Sequence, residues 1–257
     1  MHRLLPRALA VLVAAACGSL GLTATATAHV SGPRSGALAA QPPVLRVMPL
    51  GDSITVGVGS STGAGYRLPL WNLVTQQSLY RVDLVGSQRS GSFAAPWHEG
   101  HSGWMIDDIH NQVDHWLADN TPDVVLLHIG INDLDRGPDK AHAADRMQAL
   151  LDRIFTDEPD VSVIVQGLIP TTPGLQDATR SFNRQVRQLE TAEWQQGRHL
   201  RYVDAPALTP AEFNDTLHPD DAGYTRMGQT FYTALSREVE ERWYSSGPPP
   251  TVQAARH

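Results

Sequence analysis

Five short apolar runs, at 44–50, 80–85, 123–129, 161–168 and 200–203, alternate with longer stretches at 70–77, 105–117, 141–155, 177–194 and 221–243, in which apolar residues recur every three or four positions. A short, unbroken apolar run bounded by turn residues predicts a strand covered on both faces. The stretches between carry the period of helices that bury one stripe. In the last of them Tyr224, Met227, Gly228, Phe231, Leu235 and Val239 form that stripe. Such alternation predicts an α/β domain, a three-layer αβα sandwich with a five-stranded parallel sheet and helices on both faces. Ligands of open parallel sheets bind outside the carboxyl ends of the strands, near the point where strand order reverses. The residues just after each run are therefore where chemistry is expected.

The ends of the chain set the limits of that domain. Residues 1–28 combine basic Arg3 and Arg7, an apolar run over 8–22 and the small residues Thr23 to Ala28, which predicts a secretory signal cleaved after Ala26 or Ala28. A membrane anchor is the competing reading, but Gly18, Ser19 and Gly21 interrupt a run of only about fifteen residues, against roughly twenty needed to span. The single cysteine, Cys17, lies inside this segment, so the exported chain has no disulfide and is held by packing. Acylation at Cys17 is the lipoprotein alternative; Ala14 stands where a larger aliphatic residue is usual. Residues 29–43 are expected to be a flexible spacer, 44–244 the folded domain and 245–257 a disordered tail. The formal charge is -7, and removing Arg3 and Arg7 makes it more acidic still, which excludes a polyanion such as nucleic acid as the main partner. The 41% hydrophobic content is enough for a full core and excludes a disordered chain. No stable membrane anchor is expected, and the oligomeric state is not readable.

Four segments fall on the predicted ligand edge. Gly51-Asp52-Ser53-Ile54-Thr55 follows the first run. A serine where a strand turns sharply into a helix can expose its hydroxyl beside backbone N–H groups that point at an oxyanion; the plainer reading is a helix N-cap. His98-Glu99-Gly100-His101-Ser102-Gly103-Trp104 lies between the second and third runs, and Gly103 would let its N–H approach a substrate closely. Gly130-Ile131-Asn132-Asp133 follows the third run, where Asn132 can donate an N–H to a developing negative oxygen or simply make a turn. Asp215-Thr216-Leu217-His218-Pro219 precedes the last helix. Asp215 can bond Nδ1 of His218 and leave Nε2 free to take a proton from serine, or His218 can be an ordinary surface residue ahead of a helix capped by Asp221. Together the four supply a nucleophile, its base, an orienting acid and oxyanion donors, the full set for acyl transfer. The segment around Ser53 is not the Gly-x-Ser-x-Gly elbow of the α/β-hydrolases, since Thr55 stands where its second glycine would be.

On Ser53, Gly103, Asn132 and His218 the chain resembles the SGNH or GDSL hydrolase superfamily, across nearly all of 44–244, with Ile54 in place of the leucine of the named motif. The resemblance implies a flavodoxin-like SGNH hydrolase fold. It also implies catalysis by Ser53, Asp215 and His218, with an oxyanion hole made by the Ser53 and Gly103 N–H groups and the Asn132 side chain. The surroundings, Arg46-Val47-Met48-Pro49-Leu50, Gly65-Tyr66-Arg67, Leu84-Val85-Gly86-Ser87-Gln88 and the segment 98–104, resemble the third family of carbohydrate esterases. That implies a secreted serine esterase working through an acyl-enzyme and removing acetyl groups from xylan. A lipase or lysophospholipase acting on lipid esters is the rival enzyme, and a catalytically silent carbohydrate-binding module the rival from another class.

No cofactor is expected. His110 and His115 fall off the apolar stripe of Ile109, Val113 and Trp116, and His98 and His101 lie beside Gly103 without a defined ligand set, so no catalytic metal is predicted. Trp97 and Trp104 can stack on a sugar or close the core under a loop. Asp52, Asp107, Asp108 and Asp133 read as loop and cap residues.

Overall fold

The computed structural model describes residues 42–169 and 173–244. The predicted signal at 1–28, the tail at 245–257 and all of the spacer except Pro42 and Pro43 lie outside these residues. In chain order the elements are β1 (Val44–Gly51), α1 (Ser53–Val56), α2 (Arg67–Thr75), β2 (Arg81–Leu84), β3 (Gln88–Arg89), β4 (Trp97–Gly100), α3 (Ile106–His110), α4 (Val113–Asn120), β5 (Val124–His128), α5 (Ile131–Arg136), α6 (Ala143–Asp157), β6 (Ser162–Gln166), α7 (Gln176–Gln195), β7 (His199–Val203) and α8 (Asp221–Val239).

The five predicted strands are present, but the sheet has seven, not five. On one side β1 pairs in parallel with β5, then β6 and β7 follow, also parallel. On its other side two strands share one rank: β2 pairs with residues 44–47 of β1, and β4 with Leu50 and Gly51. The β3 strand returns antiparallel along β4. The sequence reading missed β4 because Trp97-His98-Glu99-Gly100 is no apolar run. His98 and Glu99 are buried as polar groups, and Ser90 and Ser87 of the same hairpin satisfy them, as burial of polar side chains demands.

Strand alternation sorts the core into two layers. Leu45, Val47, Val124, Leu126 and Ile164 face α2 and α8, packing on Leu70, Val74, Tyr224, Met227, Phe231 and Leu235. Met48, Leu50, Val125, Leu127 and Val163 face the other way, onto α3, α4, α6 and α7. The predicted helix over 105–117 is two helices. Gln112 N–H bonds to Ile109 O at 3.0 Å, a tightened turn that ends α3 and re-aims α4, while Ile106, Ile109, Val113 and Leu117 all still reach the core. Their three- and four-residue spacing runs straight through the break, so periodicity could not reveal it. Among the described residues no helix is long and apolar enough to cross a membrane.

Strand order reverses at β1, between the β2/β4 rank and β5. Gly51 at the end of β1 is in register with His128 at the end of β5 and with Gly100 at the end of β4. The segments carrying Ser53, Gly103 and Asn132 therefore leave the sheet side by side at its carboxyl edge, on either side of the switch point.

Candidate active site

The turn out of β1 is capped by Asp52, whose Oδ1 accepts from Ile54 N–H at 2.9 Å. Ser53 is thus not the cap but the first residue of α1. Its N–H has no intrahelical acceptor, and its hydroxyl is left for other use. Asp52 is fully buried, and burial, opposed by the Ile54 N–H, lifts its carboxyl to about 7. The far end of this turn is held by Arg67, a buried cation. Its Nε donates to Thr55 O at 3.0 Å and its Nη2 to Val56 O at 3.0 Å, and it reaches Ser90 Oγ at 2.7 Å and Pro96 O at 3.0 Å in the β3–β4 hairpin. Burial pulls its pKa down to about 10. Carbonyl dipoles at the end of α1 meet this charge in place of a carboxylate.

His218 and Asp215 sit on one closed loop ahead of α8. Phe213 and Pro219 bridge antiparallel, and Asn214 N–H bonds to His218 O at 2.9 Å. Asp215 Oδ1 accepts from the N–H groups of Leu217 and His218, both at 2.7 Å, and Oδ2 lies 2.9 Å from His218 Nδ1. The other ring nitrogen, Nε2, lies 2.9 Å from Ser53 Oγ. Burial works against the ionised Asp215, but the His218 N–H and imidazole outweigh it and hold its carboxyl below the usual range. An ionised acceptor at Nδ1 puts the proton there and leaves Nε2 as a base toward Ser53. The helix cap expected at Asp221 is one residue earlier. Asp220 accepts from Ala222 and Gly223 N–H, and Asp221 instead binds Ser61 N–H at 2.9 Å. The loop after α1 presses on the imidazole's own backbone. Gly59 has φ +91°, and a Cβ there would stand 2.7 Å from Pro219 O and 3.0 Å from His218 Cβ.

The Gly103 turn is tied to the nucleophile strand through His101 N–H, which bonds to Gly51 O at 2.9 Å. Gly103 has φ +83°, the value of the third residue in a type II turn closed by Trp104 N–H to His101 O. Helix α5 holds this turn from the other side. Asn132 Nδ2 donates to Trp104 O at 2.8 Å, Asp133 Oδ2 accepts from Ile106 N–H at 3.0 Å, and Arg136 donates to Asn132 Oδ1 at 2.9 Å and also to Gly103 O. Asn132 is buried and keeps a second N–H beyond the one given to Trp104. The arrangement can polarise a carbonyl beside a hydroxyl with a base at hand.

The remaining candidates divide. His98 is buried, bonded to Ser90 Oγ and Gly100 N–H, and burial takes its pKa to about 3, so it is a neutral structural residue rather than a cleft wall. His101 bonds to buried Glu99 at 2.7 Å and stacks on both Trp104 and Trp116, with ring centroids at 4.1 and 4.8 Å, in a cluster in which the two indoles also meet. Trp104 thus props the Gly103 turn. Trp97 is 40% exposed, with the Arg89 guanidinium 4.6 Å from its ring centre. His115 is exposed and His110 half-buried. Among the described residues no group of three or more His, Cys, Asp or Glu side chains could hold a metal ion. Asp108 completes a cap with Met105 N–H, and Asp107 pairs with Arg146. Sequence reasoning named Arg67 only within the Gly65-Tyr66-Arg67 resemblance, without a role, and missed Arg136. For Arg136 the available signal was its position four residues after Asn132.

A family model, the GDSL-like lipase/acylhydrolase family, matches residues 50–226. The family 3 carbohydrate esterase of Clostridium thermocellum superposes with a TM-score of 0.69 at 31% identity, over 76% of this chain and 98% of that one. A carbohydrate esterase of family 3 from Talaromyces cellulolyticus superposes with a TM-score of 0.63 at 26% identity, over 77% of this chain and all of that one. A multidomain esterase of Ruminococcus flavefaciens is 24% identical over 241 residues, 80% of this chain but only 30% of that protein.

Proposed function

This chain belongs to the GDSL-like lipase/acylhydrolase family and is a carboxylic ester hydrolase; from that premise we propose that it is a carbohydrate deacetylase working through an acyl-enzyme on Ser53. The observation that carries the mechanism is the continuous relay from Asp215 Oδ2 to His218 Nδ1 and from His218 Nε2 to Ser53 Oγ, each step 2.9 Å. Ser53 Oγ attacks the ester carbonyl while its proton passes to Nε2. The Ser53 and Gly103 N–H groups and the free Asn132 N–H receive the oxyanion. Collapse of the tetrahedral adduct expels the sugar alkoxide, which takes the proton from Nε2. Water, deprotonated by the same nitrogen, then attacks the acetyl-serine and releases acetate.

Support for an acetylated carbohydrate as substrate comes from the similarity to family 3 carbohydrate esterases. An acyl-length series of p-nitrophenyl esters tests it. The expected result is kcat/KM at least about tenfold higher for acetyl than for octanoyl, with acetate released from acetylated xylan. The reverse order, with fatty acid released from a lysophospholipid, would reject the deacetylase in favour of a lipid-ester hydrolase. Xylan binding without turnover or fluorophosphonate labelling of Ser53 would favour a silent binding module.

The contact at Gly59 gives a second test. In Gly59→Ala the new methyl must displace the Pro219 carbonyl or the His218 side chain at its Cβ. A shift of the base by a fraction of an ångström is expected to lower kcat on the order of 10- to 100-fold. Wild-type turnover in that variant would show that the loop tolerates the displacement and that the close contact does not set the position of the base.

A further inference from the structure

We infer that Arg136 is the positioning residue of the oxyanion hole: its guanidinium fork fixes the Asn132 amide in the donor orientation and pins the Gly103 turn beside it. The inference rests on the reading of Ser53, Gly103 and Asn132 given above.

Helix α5 is one and a half turns long and brings Arg136 onto the same face as Asn132, four residues earlier. Three hydrogen bonds follow. Arg136 Nη1 donates to Asn132 Oδ1 at 2.9 Å, Arg136 Nη2 donates to Gly103 O, and Asn132 Nδ2 donates to Trp104 O at 2.8 Å. Since Trp104 follows Gly103 in the chain, the bonds close into a ring through two adjacent peptide carbonyls.

The ring settles which way the amide faces. Oxygen and nitrogen of an asparagine side chain have nearly the same shape, so only its partners distinguish them. Reversing Asn132 would set its NH2 group against the guanidinium and its oxygen against the Trp104 carbonyl, losing two hydrogen bonds and creating two repulsions. With Oδ1 held by Arg136, both amide protons lie on the other side, one on Trp104 O and one left for the oxyanion. The second bond acts on the turn. Arg136 holds the carbonyl of Gly103, and its Nη2 stands 3.1 Å from where a Cβ at that position would be, so the guanidinium packs on the turn itself.

Two ordinary explanations of a surface arginine are weaker. Among the described residues no carboxylate pairs with Arg136, so it does not serve a surface ion pair. Its place in the last turn of α5 favours the helix dipole, but that would stabilise the helix without touching turnover. Its charge does act at the site, where it opposes the burial that raises the Asp52 carboxyl.

The test is a double-mutant cycle with p-nitrophenyl acetate as substrate, using Arg136→Gln, Arg136→Lys and Asn132→Ala in the full chain. Arg136→Gln is expected to lower kcat on the order of 10- to 100-fold with KM within about twofold, because the donors it positions act on the transition state. In the Asn132→Ala background the same change is expected to cost several-fold less than in the wild type, because the amide it orients is gone and only its hold on the Gly103 turn remains. Arg136→Lys keeps the charge but not the planar fork, and is expected to recover only a minor part of the loss. Since Arg136 is exposed, the melting temperature is expected to move little. Unchanged kcat in Arg136→Gln, an equal loss in both backgrounds or full recovery by lysine would each overturn the inference, the last by showing that charge alone suffices. If Arg136→Gln did not fold, the lysine variant in both backgrounds would give the same reading. A wild-type chain that neither turned over the ester nor reacted with a fluorophosphonate would instead remove the esterase mechanism on which the inference rests.

Discussion

Replacing Ser53 by alanine is expected to lower kcat for p-nitrophenyl acetate on the order of 10⁵- to 10⁶-fold, while the folded chain survives. The hydroxyl is the only group at this point of the edge that forms a bond to carbon in the proposed reaction. Without it the remaining parts can only polarise a carbonyl toward bulk water, a residual activity on the order of 10³- to 10⁴-fold over the uncatalysed rate in other triad enzymes. His218→Ala is expected to match the serine variant, and the double variant to be no worse than either. A base with no hydroxyl to activate and a hydroxyl with no base are equally silent, and such non-additivity distinguishes a working unit from two independent contacts. The structural cost is small. Ser53 is 7% exposed and gives up one hydrogen bond, from Oγ to His218 at 2.9 Å, worth about 1 kcal/mol. Steady-state kinetics with a thermal melt check both halves, and mass spectrometry of fluorophosphonate-treated wild type should find the adduct on Ser53. Retained turnover in Ser53→Ala, or an adduct elsewhere, would mean that the nucleophile has been misassigned.

The second large effect is expected at Asp215→Asn, with kcat lower on the order of 10³- to 10⁴-fold. Two backbone donors, rather than charge, decide the effect. Oδ1 accepts from Leu217 and His218 N–H, both at 2.7 Å, so an asparagine must leave its oxygen there. Its NH2 then takes the place of Oδ2 and faces Nδ1. A donor facing Nδ1 makes that nitrogen an acceptor and moves the ring proton to Nε2, where it points at Ser53 Oγ and cannot receive the serine proton. The loop geometry and KM should change little. Asp215→Ala leaves Nδ1 to solvent and allows both tautomers, so it is expected to be less harmful than asparagine despite removing more atoms. If the alanine variant were the worse of the two, orientation of the tautomer would not be the role of Asp215. The carboxylate is about half exposed, so its field at the imidazole is screened by water, whereas the hydrogen bond that selects the tautomer is not.

Much of the fold could be read from the chain because buried parallel strands and amphipathic helices are written in local apolar spacing. The runs that became β1, β5 and β6 are buried along almost their whole length, and apolar residues dominate them despite Arg46, His128, Ser162 and Gln166. What could not be read lies where polar groups are buried with distant partners. The strand β4 carries His98 and Glu99 inward, and the serines that satisfy them are 8 and 12 residues away. Arg67 has its acceptors at sequence distances of 12, 23 and 29 residues. No local pattern marks an arginine as the buried kind. Ser53 and Asn132 were legible through their positions just after predicted strands, and Gly103 and His218 through theirs just ahead of predicted helices, since the carboxyl edge of a parallel sheet gathers such residues whatever their distance in sequence. Trp104 shows the limit. Its place beside Gly103 fitted a sugar platform and a prop equally well, and only its packing on His101 and Trp116 decides for the prop.

The bridged loop that carries both Asp215 and His218 has a consequence for how this enzyme can change over evolutionary time. The imidazole's tautomer is chosen within a span of four residues, so it is set by short-range chemistry and inherited as a module. Only one seam, from that module to a serine 165 positions upstream, has to be kept in register. Insertions in the loops that meet the alcohol portion of a substrate can therefore accumulate without retuning the proton relay, and specificity is free to drift while reactivity stays put.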